Sequence, residues 1–394
     1  MTIATDIHDS FSLLLETPPP EPQGIRLSIA GEVVDFIADT PSGIHLAEAI
    51  LGPYCKTSRL PAENNGAEDH RWTVVSIAQH RVSGLAADLY AALGRSAPAR
   101  QVRRWPTDFD SDRFDVGDAR SVVMHRMPFT GLTLFSRAAR RILYLRADDA
   151  YDVSHTEHCI KYPFRCELRR SGFSQVHASG CVLNSRGILI TGEKGRGKST
   201  LVIHAMTRGA TEVSNDLGYV RRTADGGYEM IAVPQITRLG PGTVADNELL
   251  RTALAAEPRT GDYLKSPVFN NEKEEFYYPV LRRIWGREPV CQHASLDLII
   301  FPMLDVNLSR NSSATFVPPE EARERLLTCM LHDSPLPEWL PFFEPEELSD
   351  VTAAAAANFL RGTPPPAFEL HFGGSSTDPV SAIENILQEI HPQE

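Results

Sequence analysis

Lysine is scarce in this chain of 394 residues: Lys56, Lys161, Lys194, Lys198, Lys265 and Lys273 are its six, and arginine supplies the remaining side-chain cations. Acidic residues outnumber basic ones, 51 to 39, for a net charge of -12. That balance excludes a broad nucleic-acid-binding face. No apolar run reaches the roughly 18 residues that a membrane-spanning helix needs. Met1 to Leu15 has neither a basic start nor the sustained apolar core of a signal peptide. The six cysteines, Cys55, Cys159, Cys166, Cys181, Cys291 and Cys329, are scattered, with no CxxC. Such spacing suits reduced thiols in a cytosol, so a cytoplasmic location is expected. There is no internal repeat.

Two of the six lysines fall in one stretch, Gly192-Glu193-Lys194-Gly195-Arg196-Gly197-Lys198-Ser199, which fits G-x-x-x-x-G-K-[ST] at every fixed position. Gly187 to Thr191 before it is a short apolar run of strand type. Thr200 to Arg208 after it carries Leu201, Val202, Ala205 and Met206 at helical spacing, and Gly209 is placed to cap the helix. Strand, glycine-rich turn and helix are the context of a phosphate-binding loop. Glycines let successive backbone N–H groups curl toward an anion. The helix N-terminus adds unpaired N–H groups and partial positive charge. The expected nucleotide contacts are Gly192, Glu193, Lys194, Gly195, Arg196, Gly197, Lys198, Ser199 and Thr200. Lys198 reaches the β- and γ-phosphates, and the Ser199 hydroxyl is a ligand for Mg²⁺.

Taken in order, residues 1–24 read as a loose leader, proline-rich at Pro18-Pro19-Pro20. Residues 25–150 read as a small α+β domain. It opens with a hairpin through Ala30-Gly31, has short helices near His45–Leu51 and Leu85–Leu93, and strands at Trp72–Ile77, Arg120–Met127 and Leu132–Leu145. Residues 151–394 read as an α/β domain built on the glycine-rich loop. A helix over Asp152 to Arg170, interrupted near Pro163, leads into it. Its His155, His158, Cys159 and Cys166 match no common zinc spacing and read as ordinary helix residues. Strands are expected at Val176–Leu183, Thr211–Asp216, Leu296–Phe301 and Phe368–Phe372, a hairpin at Gly218–Val233, and helices at Pro319–His332, Pro345–Arg361 and Pro379–Ile390.

The stretch His177 to Asp216 resembles the catalytic domain of HPr kinase/phosphorylase and its stand-alone relatives. Three features coincide in register: His177 at the family's distance before Gly192, the loop itself, and an Arg208-Gly209 cap leading to a strand that ends in Asn215-Asp216. The family has two aspartates there, so Asn215 is a departure. Gln235 to Gly240 is the nearest stretch to the family's Glu-Val-Arg-Gly segment, and the N-terminal half does not resemble that of true HPr kinases. The closer likeness is to HPr kinase-like proteins of natural-product pathways. The resemblance implies an α/β P-loop kinase domain with a smaller N-terminal α+β domain, ATP and Mg²⁺ as cofactors, and transfer of the γ-phosphoryl group to a hydroxyl of a small molecule, biosynthetic intermediate or peptide. It allows a homo-oligomer.

Within that frame Asp216 and Ser199 are the expected metal ligands. The expected catalytic groups are Asp216, His177, Lys198 and Arg238. Asp216 holds Mg²⁺ or accepts the proton of the attacking hydroxyl. His177 assists the acceptor or contacts the phosphate. Arg238 clamps the γ-phosphate or an acidic acceptor. Lys273 is a weaker candidate. A rival carboxylate is Asp305, at the end of the apolar run Leu298 to Leu304, where many phosphate-loop NTPases place a metal-supporting strand. That placement would make the protein an ATPase or GTPase of a different subclass, and the alternative function is an ATPase switch without an acceptor. Pro302 within the run argues against a central strand.

Overall fold

The computed structural model describes residues 3–60, 71–104, 109–117, 120–125, 131–151, 153–235, 237–255, 274–276, 278–305, 307–308, 311–330, 342–343, 345–373 and 377–390. They form an α/β protein in two compact units. The first comprises Met1–Glu167 with Asp333–Leu348, and the second Leu168–His332 with Ser349–Glu394. The expected break at 150/151 thus lies inside the first unit, and a short piece of the C-terminal half belongs to that unit as well.

In the first unit the chain runs α1 (Ile3–Glu16), β1 (Gln23–Ile29), β2 (Glu32–Ala38), α2 (Pro41–Leu51), β3 (Lys56–Arg59), β4 (Trp72–Ala78) and α3 (Ser83–Gly94). It continues through β5 (Arg100–Arg104), β6 (Phe109–Gly117), β7 (Arg120–His125), β8 (Gly131–Ser136), β9 (Arg141–Arg146) and α4 (Val153–Arg170), whose last three residues belong to the second unit. The nine strands make one sheet in the order β3-β1-β2-β4-β9-β8-β7-β6-β5. β2, β4 and β9 are parallel neighbours, and the remaining pairs are antiparallel. Ala30 and Gly31, both at positive φ, make the tight turn of the first hairpin.

Residues 3–16 of the expected leader are a helix. Ile7, Phe11 and Leu14 recur at helical spacing and are buried with Leu89, Leu93, Val75, Ile77, Leu143 and Leu145. Burial of that stripe outweighs the composition that suggested a loose segment. Phe11→Ala is accordingly expected to cost about 3–5 kcal/mol of first-unit stability. Denaturant unfolding with and without the substitution measures it, and an unchanged midpoint would make the segment a leader after all. Pro163 lies inside α4 without breaking it. It removes one intrahelical hydrogen bond, but Cys159, Ile160, Phe164 and Cys166 around it are fully buried and hold the helix in place. Phe342, from the returning segment, packs in the first unit on Trp72 and Phe135, with ring centroids at 5.1 and 4.9 Å.

The second unit begins with β10 (Ser174–Val176), β11 (Ala178–Leu183), β12 (Arg186–Thr191), α5 (Lys198–Thr207), β13 (Thr211–Ser214), β14 (Gly218–Arg222) and β15 (Tyr228–Ile231). Then come β16 (Thr237–Leu239), α6 (Pro241–Asp246), α7 (Glu248–Ala255), β17 (Glu274–Phe276), α8 (Tyr278–Trp285), β18 (His293–Ser295) and β19 (Leu298–Leu304). The unit closes with β20 (Ser313–Val317), α9 (Pro319–Cys329), α10 (Pro345–Phe359), whose first four residues belong to the first unit, β21 (Ala367–Phe372) and α11 (Pro379–Ile390). Among the described residues its main sheet has six strands in the order β13-β11-β12-β19-β21-β20. β12, β19 and β21 are parallel; β11 is antiparallel to both β12 and β13. A second sheet has the order β10-β14-β15-β18, and β16 pairs with β17.

Two strand expectations change. The single strand expected over Val176–Leu183 is split at His177, with β10 in one sheet and β11 in the other; the His177 N–H bonds instead to the carbonyl of Cys329. Pro302 sits in a central strand after all. Its pairing with β21 persists to Leu304, whereas pairing with β12 ends at Ile190↔Ile300. The proline ring faces Gly192, where β12 has already ended, so its missing N–H deprives no partner.

Candidate functional site

Antiparallel register builds the site. Ala178 pairs with Thr191, so the start of β11 lies against the end of β12. Two residues at positive φ, Asn184 and Ser185, close this hairpin and set the spacing between His177 and the glycine-rich loop. The Thr191 hydroxyl donates to the His177 carbonyl at 3.0 Å. Gly180 pairs with Ser214, so β13 delivers Asn215 and Asp216 to the same edge. β19, parallel to β12, brings Asp305 there too, and the Leu304 N–H bonds to the Arg196 carbonyl. In an α/β sheet the carboxyl ends of parallel strands are the usual place for a ligand.

The loop Gly192–Gly197 connects β12 directly to α5. Gly192, Gly195 and Gly197 all have positive φ. Gly197 is the most constrained: a Cβ there would lie 2.8 Å from the Leu304 Cβ and 2.9 Å from the Phe372 ring. Lys198 is buried, and its ammonium donates to the carbonyls of Gly192 and Glu193 at 2.8 and 2.9 Å. Arg196 pairs with Glu193 at 2.8 Å on the exposed outer side of the loop, and Lys194 is exposed. Thr200 turns away from the loop to the Thr243 hydroxyl, 2.9 Å distant and buried.

Two contacts tie the strand ends to the loop. His177 Nε2 lies 3.2 Å from Asp216 Oδ1. The Ser199 hydroxyl donates to Asn215 Oδ1 at 3.0 Å, and Ser179 approaches the same oxygen at 3.5 Å. Asn215 is buried, whereas the Asp216 side chain is 69% exposed. Asp216 also has a φ of 76°, a left-handed conformation that is strained for a residue with a side chain. Asp216 lies just past the end of β13, with its carboxylate against His177.

Of the residues singled out in the sequence, His177, Lys198, Ser199 and Asp216 meet at this edge. Arg238 stands on β16, in register with Glu275 of the separate two-stranded sheet, and β16 lies against α5. Lys273 lies outside the described residues. Ser179 and Thr243 escaped the sequence reading. Ser179 lies on β11 two positions after His177, and no motif marked it in the sequence.

The donor set suits a hard cation and a phosphate chain. Ser199, Asp216 and Asp305 offer oxygen ligands of the kind Mg²⁺ takes, and the Gly197 cradle would be filled by any Cβ. Among the described residues no group of three or more His, Cys, Asp or Glu is arranged to hold a metal by itself. No described helix is long and apolar enough to cross a membrane.

No family model matches this chain, and no curated protein does. Among solved structures, the HPr(Ser) kinase/phosphatase from Coxiella burnetii aligns over 55% of this chain and 92% of its own, with 13% identity and a TM-score of 0.26. At that score the alignment establishes no shared fold, and the functional reading rests on the residues.

Proposed function

We propose that the protein is a Mg²⁺- and ATP-dependent kinase of HPr kinase type, which transfers the γ-phosphoryl group to a hydroxyl of a small molecule or biosynthetic intermediate of nucleoside, sugar or peptide type. The observation that carries this reading is the His177–Asp216 pair, 3.2 Å apart, at the strand edge that holds Lys198 and Ser199. Phosphoryl transfer needs positioning and charge neutralisation more than covalent chemistry. Lys198 and the loop N–H groups hold the phosphate oxygens. Asp216, exposed and oriented by His177, takes the proton of the acceptor hydroxyl. The acceptor oxygen then bonds to the γ-phosphorus, the bond to the β,γ-bridging oxygen breaks, and ADP leaves with that electron pair. Ser199 would hold Mg²⁺, which when bound neutralises charge on the β- and γ-phosphates; a place for Asp216 among the metal ligands is the alternative to its role as base. Arg238 is the candidate for an additional phosphate or acceptor clamp. The reading carries a cytoplasmic location, needs neither nucleic acid nor membrane, and allows a homo-oligomer.

A second reading, a phosphate-loop ATPase switch without an acceptor, is favoured by one observation. Asp305 directly follows β19, a central strand parallel to and beside β12, the placement of a metal-supporting carboxylate in many such proteins. Product analysis separates the two. Protein incubated with Mg·ATP and pools of nucleosides, sugars and peptides is expected to add one phosphate to an acceptor, detected by mass spectrometry and lost in Lys198→Ala. ADP and free phosphate with no modified acceptor in any pool would favour the switch.

A further inference from the structure

Two arginine side chains of the second unit, Arg222 and Arg323, meet at one glycine turn well away from the loop, and a third arginine, Arg361, stands in the turn itself. Gly362, at φ 87°, follows α10. The Arg222 guanidinium, from the end of β14, packs on it, with Nε 3.5 Å from where a Cβ would stand. Arg323, from α9, donates through Nη2 to the Gly362 carbonyl at 2.6 Å. Arg361 is the preceding residue, and its side chain is exposed. The turn is braced from beneath. The Tyr228 hydroxyl reaches the carbonyls of Arg361 and Thr363 at 3.2 and 3.0 Å, and its ring packs edge-on to Phe359.

The Arg222 and Arg323 guanidinium groups keep part of their donor sets unused. The Nε atoms of Arg222 and Arg323 are buried and have no hydrogen-bond partner. Glu320 approaches Arg323 only at 3.8 Å and is 79% exposed. Asp225, the carboxylate that acts on Arg222, already accepts from the Thr223 hydroxyl and the Gly227 N–H. The neighbouring Arg221 is fully engaged by Glu229 and the Ser171 carbonyl. Gathering guanidinium groups without matching acceptors is unfavourable unless an anion completes the set. Planar forks from several directions suit a tetrahedral dianion.

We propose that Arg222, Arg323 and Arg361 form a binding site for a small phosphate monoester, separate from the glycine-rich loop. β14 leads away from Asp216, and at about 3.3 Å per residue Arg222 lies roughly 20 Å along the chain from it. The site therefore stands independently of the kinase reading.

Calorimetric titration with glycerol 3-phosphate tests it, in a Lys198→Ala background that removes the loop's phosphate contact. Saturable binding is expected there, with none for glycerol. Adding Arg222→Gln and Arg323→Gln is expected to weaken it at least tenfold. Arg361→Gln, on an exposed side chain, is expected to weaken it severalfold, and keeps the test open if the double substitution does not fold. Inorganic phosphate binding as tightly as the ester would identify free phosphate as the occupant and leave the site standing. The absence of saturable binding in Lys198→Ala, unchanged affinity in the arginine variants, or equal affinity for succinate would each overturn the proposal.

Discussion

Gly197→Ala is expected to lose about 2–5 kcal/mol of second-unit stability and to weaken nucleotide binding by more than tenfold. Two costs combine. A left-handed φ of 95° is strained by about 1–2 kcal/mol for a residue with a Cβ. The new methyl would also stand 2.8 Å from the Leu304 Cβ and 2.9 Å from the Phe372 ring. The Leu304 Cβ cannot move without its strand, and the Phe372 contact is the tip of a ring that is fully buried, so overpacking adds about 1–3 kcal/mol. Gly195→Ala is the internal comparison. Its φ of 85° carries the same strain, but nothing lies within 4 Å of its Cβ position. Denaturant unfolding is therefore expected to rank Gly197→Ala well below Gly195→Ala. Equal losses would mean that the close approach of loop, β19 and β21 is not as described.

The second large effect concerns Glu212, on the strand that delivers Asn215 and Asp216. It is 2% exposed, opposite Cys181 in register, with one carboxylate oxygen 3.5 Å from the Thr237 hydroxyl and the other without a partner. Burial pushes its carboxyl up to about 7, only partly offset by Thr237. Below pH about 4.5 the group is protonated folded and unfolded alike. Between 4.5 and 7 the folded state holds the proton that the unfolded state has released, so stability falls as pH rises. Above 7 the fold bears the whole cost of the buried charge, on the order of 3 kcal/mol. Glu212→Gln is expected to remove that slope and to be more stable than the wild type at pH 8 by up to about 3 kcal/mol. Parallel stability curves from pH 4.5 to 8 would show that the carboxylate is better solvated than its burial implies.

The loop and its flanking strand and helix were legible in the sequence because each local signal agreed with the others: an apolar run, three glycines and a helical stripe capped by Gly209. The hairpins at Ala30-Gly31 and Asp225-Gly226-Gly227 were legible for the same reason. β5 and β6 were not, since Arg100–Arg104 and Phe109–Gly117 are charged and polar and gain their strand character from neighbours in a large sheet. Nor was the break at His177. No local residue signals it, and its cause is the distant Cys329 carbonyl. Pro302 misled because a proline's tolerance in a strand depends on which side still has a partner. In the site, His177 and Asp216 were expected together from the resemblance, whereas the Ser199–Asn215 bond required the register of β13 against β11. Arg238 was expected as a clamp from its stretch's likeness to the family segment, and strand pairing sets it on β16, in register with Glu275.

The most direct test follows the γ-phosphate of labelled Mg·ATP through the wild type, Asp216→Asn and Asp305→Asn, each with the acceptor found in the product screen. The account predicts label on the acceptor hydroxyl, a loss of transfer of at least a hundredfold in Asp216→Asn, and substantial transfer in Asp305→Asn. Full transfer in Asp216→Asn, with loss confined to Asp305→Asn, would contradict the assignment of the catalytic carboxylate. Label found only as free phosphate would contradict the kinase itself.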